Sequence, residues 1–138
     1  MPEKLDALLI EDSEDDATLI VHELEHGGFD VSYERIDTSD AIEEALGRKK
    51  WDIIFCDHAM PEICAPEALQ IAKKLSPETP FVIVSGWMNE ELAEAAKKEG
   101  ADDFVRKNNL IKLVPVVKRE MKRSTAKRSK ASKGKKKA

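Results

Sequence analysis

Five short apolar runs alternate with segments of helical periodicity, and this alternation constrains the fold of the chain more than any other feature. The apolar runs cover residues 5–10, 30–36, 51–56, 81–84 and 103–105. Continuous apolar runs of this length are typical of strands buried on both faces of a parallel sheet. The second run alternates apolar and polar residues, which predicts a strand nearer an edge. The intervening segments are long enough for right-handed crossovers, so we expect an α/β fold with a five-stranded parallel sheet and helices on both faces.

Capping residues and prolines predict where the helices begin. Ser13 and Thr38 are suited to accept hydrogen bonds from the free backbone N–H groups of a first helical turn. Pro66 suits the first position of the third helix, where a missing N–H costs nothing. Pro115 is tolerated only in the first turn of the last helix, so that helix is expected to begin near Lys112.

Charge divides the chain into two parts. Residues 118–138 hold 11 of the 23 basic residues and one of the 27 acidic residues, so this segment carries +10 and the remainder −14. Residues 124–138 have no apolar periodicity and are expected to form a disordered basic tail after a single domain at residues 1–123. Such a tail could contact polyanions nonspecifically, fold back on the acidic body, or only increase solubility.

The apolar runs and the first residues of the chain bear on where the protein is located. No apolar run approaches the ~20 residues that a transmembrane helix requires. The first residues also lack the basic region and apolar core of a signal peptide. We therefore expect a cytoplasmic protein with no membrane span.

Charged and hydroxyl side chains follow four of the five predicted strands. These residues are Glu11 with Asp12, Asp57, Ser85 and Lys107. In open parallel sheets ligands bind beyond the carboxyl ends of the strands, so these side chains are expected to meet in one pocket. Carboxylates that lie close together repel one another and require a cation. Because the ligands are oxygen atoms, with no histidine, they favour Mg²⁺ or Mn²⁺.

The same residues suit phosphoryl transfer, which needs an in-line nucleophile and neutralisation of the transferred oxygens. Asp57 can act as the nucleophile and form an acyl phosphate. Lys107 can contact the phosphoryl oxygens by charge and Ser85 by a hydrogen bond, while Gly86 leaves room for the group. The neighbouring His58 is less suited as a general base, because adjacent side chains on an extended chain point apart.

At this point the chain resembles the receiver domain of two-component response regulators. The resemblance rests on four motifs and one lysine, in the order and spacing of the family: residues 8–12, residues 56–61 around Asp57, residues 82–86, residues 100–104, and Lys107. It implies a doubly wound (βα)5 flavodoxin-like fold with strand order 2-1-3-4-5. It also implies phosphorylation of Asp57 by a histidine kinase or a histidine phosphotransfer protein.

The resemblance implies roles for further residues. Mg²⁺ would be held by Glu11, Asp12, Asp57 and the backbone carbonyl of Ala59. Ser85 and Phe104 would form a coupled switch pair that reshapes the surface around the fourth helix, last strand and last helix. Ala59 and Trp87 correspond to positions that flank the mouth of the phosphoryl pocket, and a bulky Trp87 would shield the phosphoryl group from water. The output would be the binding of an unknown partner protein, without a folded output domain.

Two positions depart from the family pattern. Asn108 follows Lys107 where receivers usually have a proline with a cis peptide bond. A cis bond before a non-proline residue costs about 2.5–4 kcal/mol, which leaves a trans or a strained peptide as alternatives and predicts a different position for Lys107 than in other receivers. Ala65 lies where receivers often have glycine, which affects the turn into the third helix.

Three alternative functions differ in how well they fit the motifs. A phosphorylation-independent interaction module of the same fold would be expected to lack an acid or the lysine, and an intermediate phosphoryl carrier in a phosphorelay would share every residue of the pocket. Phosphatases of the haloacid dehalogenase type have a second aspartate two residues after the nucleophile, where this chain has Ala59. We therefore expect no turnover of external substrates, and only self-catalysed phosphorylation and dephosphorylation.

Overall fold

The sheet has the predicted strands, order and direction. The computed structural model describes residues 3–58, 65–86 and 90–123. Within them the strands are β1 (Glu3–Ile10), β2 (Phe29–Ile36), β3 (Ile53–Asp57), β4 (Phe81–Ser85) and β5 (Asp103–Arg106). All neighbouring strands are parallel, in the order β2-β1-β3-β4-β5. This confirms the flavodoxin-like fold and places the alternating second strand at an edge.

Helices cover both faces of the sheet. They are α1 (Glu14–His26), α2 (Ser39–Arg48), α3 (Ala65–Leu75), α4 (Glu90–Glu99) and α5 (residues 113–123), with a 3₁₀ helix (Lys107–Lys112) before α5. Side chains of α2, α3 and α4 pack on one face, and those of α1 and α5 pack on the other. All five residues of β3 are buried. Each large apolar side chain buried in this way stabilises the fold by about 1.5–3 kcal/mol.

The capping residues act as predicted. Ser13 Oγ accepts a hydrogen bond from the Asp16 N–H at 3.2 Å, and Thr38 Oγ1 accepts one from the Ala41 N–H at 3.2 Å. Pro66 is the second residue of α3, one position later than predicted. Pro115 lies in the first turn of α5, whose observed beginning agrees with the prediction to one residue.

The peptide bond between Lys107 and Asn108 is trans, as are all the other peptide bonds in the described part of the chain. Lys107 begins the 3₁₀ helix, and a kink at Asn109 (φ −141°, ψ 48°) separates two helical turns. Of the two alternatives that the sequence left open, the structure therefore has the trans peptide.

Several sequence predictions lie outside the described residues. They concern Ala59, Trp87 and the tail at residues 124–138. The division into a domain at residues 1–123 and a basic tail stays a prediction. In the part of the chain that is described, no helix is both long and apolar enough to cross a membrane.

Candidate functional site

Three carboxylates meet at the carboxyl end of the sheet. Ile10 and Cys56 are register partners on neighbouring strands, so the residues that follow them, Glu11 and Asp57, emerge side by side. One oxygen from each of Glu11, Asp12 and Asp57 lies within 4.8 Å of the others. Glu11 and Asp57 are buried, whereas Asp12 is exposed. The structure therefore brings together the three acids that the strand ends predict.

Lys107, the first residue of the 3₁₀ helix after β5, reaches into this group. Its Nζ atom lies 2.8 Å from Glu11 Oε2, 3.2 Å from Asp57 Oδ2 and 2.6 Å from Asp16 Oδ2. Burial lowers the pKa of Lys107, but its hydrogen bonds to Asp16 and Glu11 and the charge of Asp57 raise the pKa more, so the net shift is upward. The ammonium therefore stays charged and contacts the carboxylate at the end of the central strand.

Asp16 also belongs to the site, although the strand-end pattern in the sequence did not predict it. Its acidic side chain in the first turn of α1 is favourable at a helix N-terminus for the helix dipole alone, so the residue fitted an ordinary structural role. The signal that could have identified it is topological. Helix α1 begins at Glu14, four residues after β1 ends at Ile10, so the first turn of α1 faces the same pocket as Glu11.

Glu11 has a buried carboxyl group with a raised pKa. Its Oε1 accepts a hydrogen bond from the Ser13 N–H at 3.1 Å, and its backbone carbonyl accepts one from Arg35 Nη1 at 3.2 Å. Burial and, to a smaller extent, the charge of Asp57 raise the pKa of the Glu11 carboxyl to about 7, although Lys107 and the Ser13 N–H oppose the shift. The site therefore holds a carboxylate whose ionised form is costly without a further cation.

The donor set fits a hard divalent cation. The buried Glu11 Oε2 lies 2.8 Å from the Lys107 ammonium, and Asp12 and Asp57 place two further carboxylates beside it. Three carboxylates that lie this close together repel one another, and their oxygen atoms are the ligands that a divalent ion such as Mg²⁺ prefers. Glu11, Asp12 and Asp57 would hold it, and the predicted fourth ligand, the Ala59 carbonyl, lies outside the described residues.

Of the other predicted residues in the described part of the chain, Ser85 and Gly86 lie at the same edge of the sheet, and Phe104 lies two positions before the end of β5. Ser85 ends β4 one position after Val84, the register partner of Asp57, and is buried. A Cβ atom at Gly86 would lie 3.8 Å from Lys107 Cδ, so the glycine borders the lysine stem without being required by it. Phe104 lies on β5, half-buried, with Lys97 Nζ 5.6 Å from its ring centroid.

The raised pKa of Glu11 predicts how stability responds to pH. Below pH 4.5 Glu11 is protonated in both the folded and the unfolded state, and as pH rises to about 7 only the unfolded state loses the proton freely. Ionisation of Glu11 therefore lowers the free energy of unfolding of the metal-free protein as the pH rises from 4.5 to about 7, and the loss is complete above pH 7. In a chelator, Glu11→Gln is expected to raise the free energy of unfolding at pH 8 by about 1–3 kcal/mol, with little gain near pH 4.5. Urea unfolding at both pH values measures this. An equal gain in the free energy of unfolding at both pH values would show that the raised pKa of Glu11 is not the cause.

Comparison with known proteins identifies the family. The family model described as "Response regulator receiver domain" matches residues 7–118 of the chain. This chain belongs to the response regulator receiver domain family. It is thus a receiver domain of two-component signalling, a family whose general function is phosphorylation-dependent switching and whose members generally bind Mg²⁺ at an acidic pocket.

Relatives and solved structures agree with the assignment. The receiver domain is 34% identical over 119 residues to the nitrogen assimilation regulatory protein NtrX of Azorhizobium caulinodans, covering 84% of this chain and 26% of the relative. NtrX from Brucella abortus, solved in complex with ADP, has a TM-score of 0.81 at 27% identity, covering 95% of this chain and 30% of that one. The signal receiver domain of a LuxO repressor protein from Vibrio parahaemolyticus shares the fold, with a TM-score of 0.77 at 23% identity and coverage of 90% and 95%.

The match covers only part of the full-length relatives. The chain spans between 17% and 44% of the length of the curated relatives that it matches. The comparisons therefore concern the receiver module of those proteins.

Proposed function

We propose that this receiver domain accepts a phosphoryl group on Asp57 and acts as a phosphorylation-dependent signalling switch. The observation that carries the proposal is the Lys107 ammonium 3.2 Å from Asp57 Oδ2, beside three carboxylates whose oxygens lie within 4.8 Å of one another. A nucleophilic carboxylate, a fixed positive charge and a cation site are the parts that phosphoryl transfer needs.

Each residue of the pocket has a defined part in the transfer. An oxygen of Asp57 attacks the phosphorus of the donor, and the bond from phosphorus to the donor's histidine nitrogen breaks, with the electron pair leaving on that nitrogen. Lys107 neutralises charge on the transferred oxygens, and the Ser85 hydroxyl donates a hydrogen bond to one of them. When bound, Mg²⁺ supplies further neutralisation of the phosphoryl oxygens.

The donor class is a histidine kinase or a histidine phosphotransfer protein. We do not assign the domain turnover of external substrates, because the sequence has Ala59 where phosphatases with an aspartyl phosphate intermediate have a second aspartate. The phosphoryl group is lost when water attacks the phosphorus and the bond to Asp57 breaks, which returns the carboxylate. The reaction on Asp57 therefore resets the switch rather than converting a substrate.

The output surface lies around α4, β5 and α5 and would bind an output protein. Asp103 on β5 pairs with Arg119 on α5 and, at 3.7 Å, with Lys97 on α4. Lys97 also lies over the half-buried ring of Phe104. These contacts join the three elements beside the predicted switch residue, so a change in the packing of Phe104 would alter their arrangement.

Beryllofluoride, a mimic of the bound phosphoryl group, tests the proposal directly. Adding it with Mg²⁺ to the full chain is expected to shift backbone amide NMR signals near Asp57 and around α4, β5 and α5. Beryllofluoride without Mg²⁺, and Mg²⁺ without beryllofluoride, are the controls. A spectrum unchanged by the complete mixture would favour the alternative of a phosphorylation-independent interaction module.

A further inference from the structure

The residue nearest to the Lys107 ammonium lies outside the predicted cation site. Asp16 Oδ2 is 2.6 Å from Nζ, closer than the oxygens of Glu11 and Asp57. Asp16 comes from the first turn of α1, whereas Glu11, Asp12 and Asp57 form the group that could hold a metal. Lys107 therefore has one carboxylate partner that would remain available to it when a cation is bound.

Lys107 shares its other two partners with that cation. A lysine ammonium has three N–H donors, and here three carboxylates surround it. When Glu11 and Asp57 ligate a divalent ion, the ammonium is repelled by the ion and loses much of the attraction of those two oxygens. Asp16 is then the carboxylate that keeps the ammonium in the pocket.

Asp16 is better restrained than the lysine. Its backbone N–H donates to the Ser13 cap at 3.2 Å, and the next residue, Ala17, is buried in the core. Lys107 begins a 3₁₀ helix that is kinked at Asn109. A long, flexible lysine side chain on such a segment gains most from a partner on a rigid helix, since precise placement of charge needs support from groups that are themselves fixed.

We propose that Asp16 is a positioning residue that holds the Lys107 ammonium where the phosphoryl oxygens arrive. The proposal rests on the proposed function, because it concerns the same pocket. Asp16 itself touches neither the phosphoryl group nor the cation in this account. It acts through its hydrogen bond to Lys107.

If Asp16 has no part in positioning Lys107, its removal should change the affinity for a phosphoryl mimic in the opposite direction. If its charge only added to the negative potential of the pocket, its removal would strengthen the binding of an anionic phosphoryl mimic. If it positions Lys107, its removal weakens that binding. Asp15 provides a matched control, because it lies in the same turn of α1, carries the same charge and is exposed.

The experiment compares the beryllofluoride affinity of the wild type, Asp16→Asn and Asp15→Asn in saturating Mg²⁺, measured by NMR titration of the full chain. Asp16→Asn replaces the ion pair with a hydrogen bond from the ammonium to an uncharged amide oxygen, so its affinity is expected to fall about tenfold. Asp15→Asn is expected to bind as tightly as the wild type or more tightly. Equal or tighter binding by Asp16→Asn would overturn the proposal.

A second readout follows the lysine itself. In saturating Mg²⁺, the side-chain ¹⁵N signal of the Lys107 ammonium is expected in the wild type and in Asp15→Asn, because the hydrogen bond to Asp16 slows exchange of its protons with water. Asp16→Asn is expected to lose or broaden this signal, and an unchanged signal would overturn the proposal. If the wild type binds no beryllofluoride, the proposed function fails as well. If the wild type binds beryllofluoride and both variants bind it equally well, only the proposed role of Asp16 is contradicted.

Discussion

Asp57→Asn is expected to abolish phosphorylation by a small acyl phosphate donor such as acetyl phosphate. The substitution keeps the shape of the side chain but replaces the nucleophilic carboxylate with an amide, which cannot form the acyl phosphate. It also removes one of the three carboxylates of the cation site. Intact-protein mass spectrometry after incubation with the donor and Mg²⁺ measures the result, and the mass of the variant should stay that of the unmodified chain.

The matched control is Asp30→Asn, which makes the same chemical change at an exposed position near the beginning of β2. This variant should be phosphorylated like the wild type. Relief of repulsion among the acids also predicts that Asp57→Asn is at least as stable to heat as the wild type in a chelator, so a loss of phosphorylation would not reflect unfolding. A phosphoryl adduct on Asp57→Asn in the same yield as on the wild type would rule out Asp57 as the acceptor.

Lys107→Met is expected to slow phosphorylation of Asp57 by about 100- to 1,000-fold, the loss typical when one preorganised charge-stabilising donor is removed. Methionine keeps much of the length and the apolar stem of the lysine, whereas the contacts of Nζ with Glu11, Asp16 and Asp57 are lost. The rate is measured from the time course of the phosphoryl adduct at saturating Mg²⁺.

Lys107→Met should also bind Mg²⁺ more tightly than the wild type. The ammonium would compete with the cation for Glu11 and Asp57, so its removal should strengthen the attraction of both carboxylates for the ion. Lys112→Met, at the exposed far end of the 3₁₀ helix, removes the same charge away from the pocket and should change neither quantity appreciably. A Lys107→Met variant that is phosphorylated at the wild-type rate would show that the observed contact has no part in the transfer.

The fold could be predicted from the sequence because the hydrophobic pattern and the connections agree. Apolar runs such as residues 81–84 are buried on both faces and require parallel neighbours covered by helices. The alternating run at residues 30–36 belongs to β2 at the edge, where one side of the strand is less covered. The sheet order itself came from resemblance to the family, since periodicity alone does not order the strands.

The carboxylate group could also be predicted, because topology alone brings it together. In a parallel sheet the carboxyl ends of neighbouring strands share one edge. Glu11 and Asp57 are therefore close whatever the conformation of the connecting loops. The reach of Lys107 across β4 is less determined by topology. It depends on a long side chain and on a loop whose peptide geometry the sequence left open.

Asp16 shows what a strand-end argument leaves out. Acids in a first helical turn are common for capping and dipole reasons, so sequence gave no basis for separating Asp16 from Glu14 and Asp15. These three acids differ in the direction in which their side chains leave the helix. Asp16 precedes the buried Ala17 and turns toward Lys107, whereas Glu14 and Asp15 are exposed.

Phosphorylation of the wild-type chain tests the central claim most directly. The full chain is incubated with acetyl phosphate, with Mg²⁺ or with a chelator, and analysed by intact-protein mass spectrometry and by peptide mapping. The account predicts one phosphoryl group per chain, only when Mg²⁺ is present, located on Asp57 and released by hydroxylamine as an acyl phosphate is. The absence of any Mg²⁺-dependent adduct, or an adduct on a residue other than Asp57, would contradict it.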